Sequence, residues 1–180
     1  MQGTWVAKGE PAPGAHYVPK NRVAPPQPGP KHSHEMNSEC ERLYGTWRLV
    51  SDVRQDVETG ARTDNFGKHP QGYLSYARDG RMSAIEVAEN RPKPTDLSKV
   101  GDADRAALFK TLLAYAGTFS FDGKVVTHHV DISWNNNWTG TDQVRNVRLE
   151  GRMLYITTNV QPSAIDGKPS IGILTWEKVG

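Results

Sequence analysis

The sequence is poor in cysteine, in long apolar runs and in an excess of either charge. It contains 1 cysteine in 180 residues, Cys40, which can form no disulfide within the chain and cannot build a cysteine-based zinc site. No stretch approaches the roughly 18 consecutive apolar residues of a membrane-spanning helix. Basic and acidic residues nearly balance, at 22 and 20. Charge therefore predicts binding to neither nucleic acid nor a membrane.

Motifs of nucleotide-dependent and nucleophilic enzymes are also missing. The chain has no G-x-S-x-G element, no phosphate-binding loop and no dinucleotide fingerprint, and no base that would activate Cys40 is identifiable. His32-Ser33-His34 has a short metal-like spacing but no second pair of ligands. We therefore expect no cofactor and no metal. The N-terminus lacks the basic start and apolar run of a secretory signal, so a cytoplasmic location is expected.

Residues 1–40 differ in composition from the rest of the chain. They hold seven of the twelve prolines and few apolar residues, without periodicity. Such a segment buries too little surface to offset the entropy of ordering it. The composition predicts an extended, Pro-rich tail of low order at 1–40 and a folded domain at 41–180. The alternative is an arm packed on that domain, with Trp5 and Tyr17 as anchors.

From Gly45 onward, short runs of alternating residues are separated by turn signals such as Asp79-Gly80 and Asp122-Gly123. The pattern predicts an all-β domain of eight antiparallel strands, or nine, near 45–53, 72–77, 81–87, 115–121, 124–134, 139–150, 152–160 and 171–178. On the first strand, one face carries Trp47, Leu49, Ser51 and Val53. Sequential strands at this spacing favour a sandwich or an up-and-down barrel, and an eight-stranded barrel can hold one small ligand.

One short helix is predicted at 102–113. Asp102 or Asp104 would cap it, and its apolar stripe would consist of Leu108, Phe109, Leu112 and Leu113. Because this stripe needs to be buried, we expect the helix to plug one end of the barrel, the alternative being a lid.

Several motifs that follow one another along the chain favour a barrel over a sandwich. They are Gly45-Thr46-Trp47, the runs 72–76 and 79–84, the run 114–119, the run 127–130, Trp138-Thr139-Gly140 with Gln143 and Arg145, and the closing run 174–178. Over residues 43–179 the sequence resembles the bacterial and fungal lipocalin-like domain family of the calycin superfamily. Lys178 stands where relatives often have arginine. The resemblance implies a calycin-type barrel, a fold shared by carriers and by cofactor-free cyclases, isomerases and decarboxylases of natural-product pathways.

Strand parity indicates which polar side chains enter the barrel. On the strand 124–134, the apolar face carries Val126, His128, Val130, Ile132 and Trp134, which places His128 inside and His129 outside. On the strand 139–150, Gln143 and Arg145 share the inward face with Val147 and Leu149. A buried arginine needs a partner, which would be a ligand oxygen or a protein acid such as Glu86 or Asp131.

Aromatic and amide side chains complete the candidate site. We expect a ligand-binding wall of Trp47, Tyr76, Tyr115, Phe119, Trp134, Trp138, Gln143 and Trp176, the alternative being ordinary core packing. Trp134 and Trp138 flank three asparagines, and this segment would sit over the cavity mouth or form a plain turn.

Three functions fit these features. The first is a barrel that binds a lipophilic, oxygenated small molecule. The second is a cofactor-independent isomerase, cyclase or lyase, with His128 as acid/base and Arg145 as oxyanion stabiliser. The third is protein interaction through the 1–40 arm. If Arg145 is fully paired with a protein acid, the enzyme hypothesis loses most of its support. The oligomeric state stays open, a homodimer included.

Overall fold

The computed structural model describes residues 39–162 and 167–179, in which the chain forms ten β-strands and one α-helix with assigned bounds. The strands are β1 (Gly45–Asp56), β2 (Arg62–Asp64), β3 (Gln71–Tyr76), β4 (Arg81–Val87), β5 (Leu112–Phe121), β6 (Val125–Ser133), β7 (Asp142–Glu150), β8 (Met153–Thr158), β9 (Gln161–Pro162) and β10 (Pro169–Lys178). The helix α1 is Asp102–Lys110, and short 3-10 turns lie at Leu97–Lys99 and Asn136–Trp138. Residues 39–43 are also helical. Trp5, Tyr17 and the His32-Ser33-His34 motif lie outside the described residues.

Eight strands close into an antiparallel barrel. Each strand of the series β1, β3, β4, β5, β6, β7, β8, β10 pairs with the next, and β10 pairs back with β1. The short strands β2 and β9 add to β1 and β10. The predicted all-β barrel is confirmed, and the eight predicted strands correspond to the eight strands that close it. No helix in the described part of the chain is long and apolar enough to cross a membrane.

One end of the barrel is filled by apolar side chains. Trp47 is almost fully buried there, as are Tyr76, Met82, Phe121, Val126 and Leu154 near the corresponding strand ends. The helical segment 39–43 covers this end with Leu43, which is fully buried and accepts a 2.8 Å hydrogen bond from the Trp47 indole through its carbonyl. The Lys178 ammonium lies 4.9 Å from the centre of the Trp47 ring, so lysine supplies the cation at this position.

The expectation for the 102–113 helix was wrong in two respects. The helix ends at Lys110, and Leu112 and Leu113 begin β5, where they pair with Val87 and Glu86. None of the residues of α1 is buried, and the ring of Phe109 remains half exposed. The helix therefore does not plug the barrel, whose filled end is covered by residues 39–43 instead.

Two register shifts redirect inward-facing residues. An extra residue in β1 between Leu49 and Ser51 changes its parity, so that Asp52 is buried in place of the predicted Ser51 and Val53. A second shift, opposite Gly117, lies between Val130 and Ile132 of β6, and Ile132 points outward with 67% exposure, contrary to prediction. Gly117 permits this bulge because a Cβ atom there would lie 1.9 Å from the His129 carbonyl oxygen.

Candidate functional site

A cavity of about 100 Å³ occupies the barrel interior toward the end opposite Leu43. Its apolar lining includes Leu74, Ala84, Leu113, Ile156, Leu174 and Trp176. Its polar lining includes Asp52, Glu86, Tyr115, His128, Arg145 and Thr158. Asn65 and Trp138 reach the cavity from connections between strands at this end, and Gln161 reaches it from β9. The barrel thus has one end packed with apolar groups and one end with a cavity of mixed apolar and polar lining.

His128 lies between two tyrosines. The Tyr76 hydroxyl is 2.7 Å from Nε2, and the Tyr115 hydroxyl is 2.8 Å from Nδ1. Burial, together with the nearby charge of Arg145, lowers the pKa of His128 from 6.5 to about 3. The imidazole is therefore neutral at neutral pH, and offers one N–H donor and one acceptor nitrogen.

A neutral imidazole donates one of these two hydrogen bonds and accepts the other. Among the described residues, the Tyr76 hydroxyl has no acceptor other than His128, and leaving a buried donor unpaired costs about 1–3 kcal/mol. Tyr76 therefore donates to Nε2, and Nδ1–H donates to the Tyr115 oxygen. Tyr115 lines the cavity, and its own O–H proton is left to donate to a group there.

Arg145 is buried without a carboxylate partner. Its guanidinium donates to the Val144 carbonyl at 2.9 Å and to the Gln143 side-chain oxygen at 3.0 Å. No carboxylate of the described residues lies within 4.0 Å of it. Asp131, one of the two acids considered as a partner, lies outside the barrel, where its carboxylate is 3.9 Å from Arg81. Arg145 therefore retains donors that can bind a ligand oxygen.

Asp52 and Glu86 form an acidic pair in the same cavity. Burial raises the pKa of Asp52 from 3.8 to about 6, against the effect of a hydrogen bond from Asn65 at 3.1 Å. Burial also raises the pKa of Glu86 well above 4.5, the charge of Asp52 raises it further, and the charge of Arg145 opposes both effects. Both carboxyl groups therefore keep a proton to a higher pH than an exposed acid does.

Five of the ten predicted site residues line the cavity: Tyr115, His128, Trp138, Arg145 and Trp176. Gln143 supports Arg145 from the same strand. Trp47 and Tyr76 belong to the packed core, and the Phe119 ring packs against Tyr76 in a tilted arrangement with the ring centres 4.7 Å apart. Trp134 packs against Phe109 at 6.2 Å and Trp138 at 5.1 Å, rather than lining the cavity.

Four residues that line the cavity were not among the predicted site residues: Asp52, Asn65, Ala84 and Glu86. A signal existed for Ala84 and Glu86, because alternation along 81–87 puts both on the inward face with Met82. Asp52 had no such signal, since the register shift in β1 reverses the expected parity.

Asparagine in place of Asp52 is expected to change the pH dependence of stability. The raised pKa of Asp52 means that wild type has its full stability below about pH 4 and loses stability as pH rises through about 6. The neutral amide removes this loss, so the variant should gain about 3 kcal/mol over wild type between about pH 4 and pH 8. Urea unfolding of both proteins at the two pH values measures the difference. An identical pH dependence would contradict the expectation.

A closed β-barrel with a mixed apolar and polar cavity is a form of protein suited to binding small molecules. The chain belongs to the lipocalin-like domain family, whose sequence model matches residues 44–179. It is also 34% identical over 86 residues to the 4′-hydroxy-3′-methoxypropiophenone carrier protein ppsC of Aspergillus oryzae, an alignment that covers 43% of this chain and 77% of that protein. Family and relative together support small-molecule binding.

Proposed function

We propose that the protein binds a lipophilic, oxygenated aromatic molecule inside the barrel, with a ligand oxygen held by Tyr115 and Arg145. The observation that carries the proposal is a buried guanidinium that faces the cavity without a carboxylate partner. An unpaired buried charge is costly, and a ligand carbonyl or phenolate oxygen would compensate it.

The size of the cavity supports a single-ring ligand. The space measures about 100 Å³ and also reaches toward the connections at one end of the barrel. An engineered apolar cavity of about 150 Å³ binds benzene, so the smaller space here holds at most one ring, whose substituents extend toward the opening at that end of the barrel. The relative named as a carrier of a hydroxy-methoxy aryl ketone points to the same class of compound. We therefore take aryl ketones with ring oxygens as the ligand class.

His128 has a positioning role in this proposal. Protonation of the imidazole would add a second positive charge to a buried site that already contains Arg145, and its pKa of about 3 reflects this cost. A cofactor-independent isomerase, cyclase or lyase that used His128 to accept a proton would work against that cost. A neutral imidazole that orients the Tyr115 hydroxyl suits binding, so we favour a carrier.

Methionine in place of Arg145 is expected to weaken aryl ketone binding about 10- to 100-fold, because hydrogen bonds to a charged group contribute about 1.5–3 kcal/mol. Isothermal titration with 4′-hydroxy-3′-methoxypropiophenone measures the effect. The matched control is Arg148→Met, which changes an exposed arginine on the outer face of the same strand and should leave binding unchanged.

Two results would contradict the proposal. One is the absence of measurable binding of any aryl ketone to the wild-type protein. The other is equal affinity in the wild-type and Arg145→Met proteins, with both shown by circular dichroism to be folded.

A further inference from the structure

Glu86 is a buried side chain whose polar atoms the protein does not satisfy. Only 3% of its surface is exposed, and its Oε2 atom has no hydrogen-bond partner among the described residues. The neighbouring strand makes room for this side chain. Gly72 is paired with Glu86, and a Cβ atom at position 72 would lie 3.3 Å from Glu86 Cγ and 2.6 Å from the Ile85 carbonyl oxygen. An unpaired carboxyl group in a cavity wall indicates a partner that enters the cavity.

Asp52 faces the same space from β1. Its carboxylate accepts a hydrogen bond from the Asn65 side chain at 3.1 Å, and the structure gives it no cation within 4.0 Å among the described residues. β1 and β4 lie on either side of β3, whereas His128 and Arg145 come from the adjacent strands β6 and β7. Around the closed barrel, β1 and β4 are each three strands away from the β7 strand of Arg145, whereas Tyr115 lies on β5, next to the β4 strand of Glu86.

We propose that Asp52 and Glu86 form a second polar subsite that binds a hydroxyl group of the ligand. The inference rests on the proposed function and specifies the ligand further. The ligand carries an acceptor oxygen toward Arg145 and a hydroxyl group toward the acidic pair, with an aromatic ring between them.

The chemistry of two neighbouring buried carboxyl groups selects a hydroxyl. Two such groups resist simultaneous ionisation, so the pair holds one proton and presents one O–H donor and one carboxylate acceptor. A hydroxyl group donates one hydrogen bond and accepts others, which matches both halves of the pair. A methyl ether only accepts, and an unsubstituted ring does neither. Burial raises the pKa of both carboxyl groups, which favours retention of a proton by the pair.

Three ketones that differ at one ring position test the subsite: 4′-hydroxypropiophenone, 4′-methoxypropiophenone and propiophenone. By isothermal titration, wild type should bind the hydroxyl compound at least about 10-fold more tightly than the other two, the effect expected of a hydrogen bond to a charged group. Equal affinities for all three would overturn the subsite and leave ketone binding intact. No binding of any of them would overturn the proposed function and the subsite together.

Two variants at one position link the preference to the acidic pair. Glu86→Leu should lose the preference for the hydroxyl compound, so that it binds the three ketones with similar affinities. Glu86→Gln keeps a donor and an acceptor of similar shape, and should keep most of the preference. Both replace a buried carboxyl group with a neutral side chain, so folding is expected and is checked by thermal melting. A full hydroxyl preference in Glu86→Leu would overturn the assignment, as would its loss in both variants.

Discussion

Leucine in place of Ala84 should abolish ligand binding while the barrel stays folded. Ala84 lies on the inward face of β4 and lines the cavity with 4% exposure. A leucine side chain there would extend into a space of only about 100 Å³ and occupy the volume of a ring. Because the added atoms enter an existing cavity, the usual cost of overpacking, about 1–3 kcal/mol, should be an upper limit. Affinity for 4′-hydroxy-3′-methoxypropiophenone should fall by at least about 100-fold, equivalent to about 2.7 kcal/mol.

The neighbouring position provides the control for this variant. Ser83 precedes Ala84 in β4 and points outward, so Ser83→Leu adds the same side chain to the outer surface. Titration of both variants, with circular dichroism spectra to verify folding, separates cavity filling from a general effect on the strand. Retained affinity in Ala84→Leu would place the ligand somewhere other than this cavity.

Alanine in place of Trp47 should lower the free energy of unfolding by about 3–5 kcal/mol, the range for truncating a large buried aromatic. Trp47 is 1% exposed, and its indole donates to the Leu43 carbonyl that covers the filled end of the barrel. The variant also removes the ring beneath the Lys178 ammonium. Urea unfolding followed by circular dichroism measures the loss.

Arg48→Ala is the matched control because Arg48 is the next residue of the same strand and forms only an exposed ion pair with Glu177. Exposed pairs contribute about 0–1 kcal/mol, so this variant should be nearly as stable as wild type. Trp47 does not line the cavity, and the fraction of Trp47→Ala that remains folded should bind ligand normally. A stability loss below about 1 kcal/mol would show that Trp47 is not a principal core residue.

Alternation and turn residues predicted most of the barrel, because each strand has a distinct inward face. The inward positions of His128 and Arg145 followed from the alternation of residues along β6 and β7. His128 precedes the register shift in β6, and the pairings of β7 contain no register shift. The same parity was wrong for Ile132, since the register shift lies between it and Val130. The alternation of apolar and polar residues does not reveal an inserted residue in a strand. The only nearby indication of the bulge in the sequence was Gly117, which lies opposite it.

Tertiary pairing explains the other differences between prediction and structure. Leu112 and Leu113 are good helix formers, yet they pair with β4 because the barrel requires a strand there. The acidic pair depends on β1 and β4 being brought to the same cavity, which no local pattern specifies. Parity could have placed Glu86 inside, but the role of Asp52 depends on the three-dimensional register of β1 with β10.

The filled end of the barrel also governs how a bound molecule would leave. Leu43 and Trp47 obstruct escape through that end, so the exit route runs past the connections that carry Asn65 and Trp138. Loops can shift on short timescales without breaking the hydrogen-bonded strands. The residence time of the ligand would therefore be set by the movement of these connections. Release of the ligand would not require the strands of the barrel to separate.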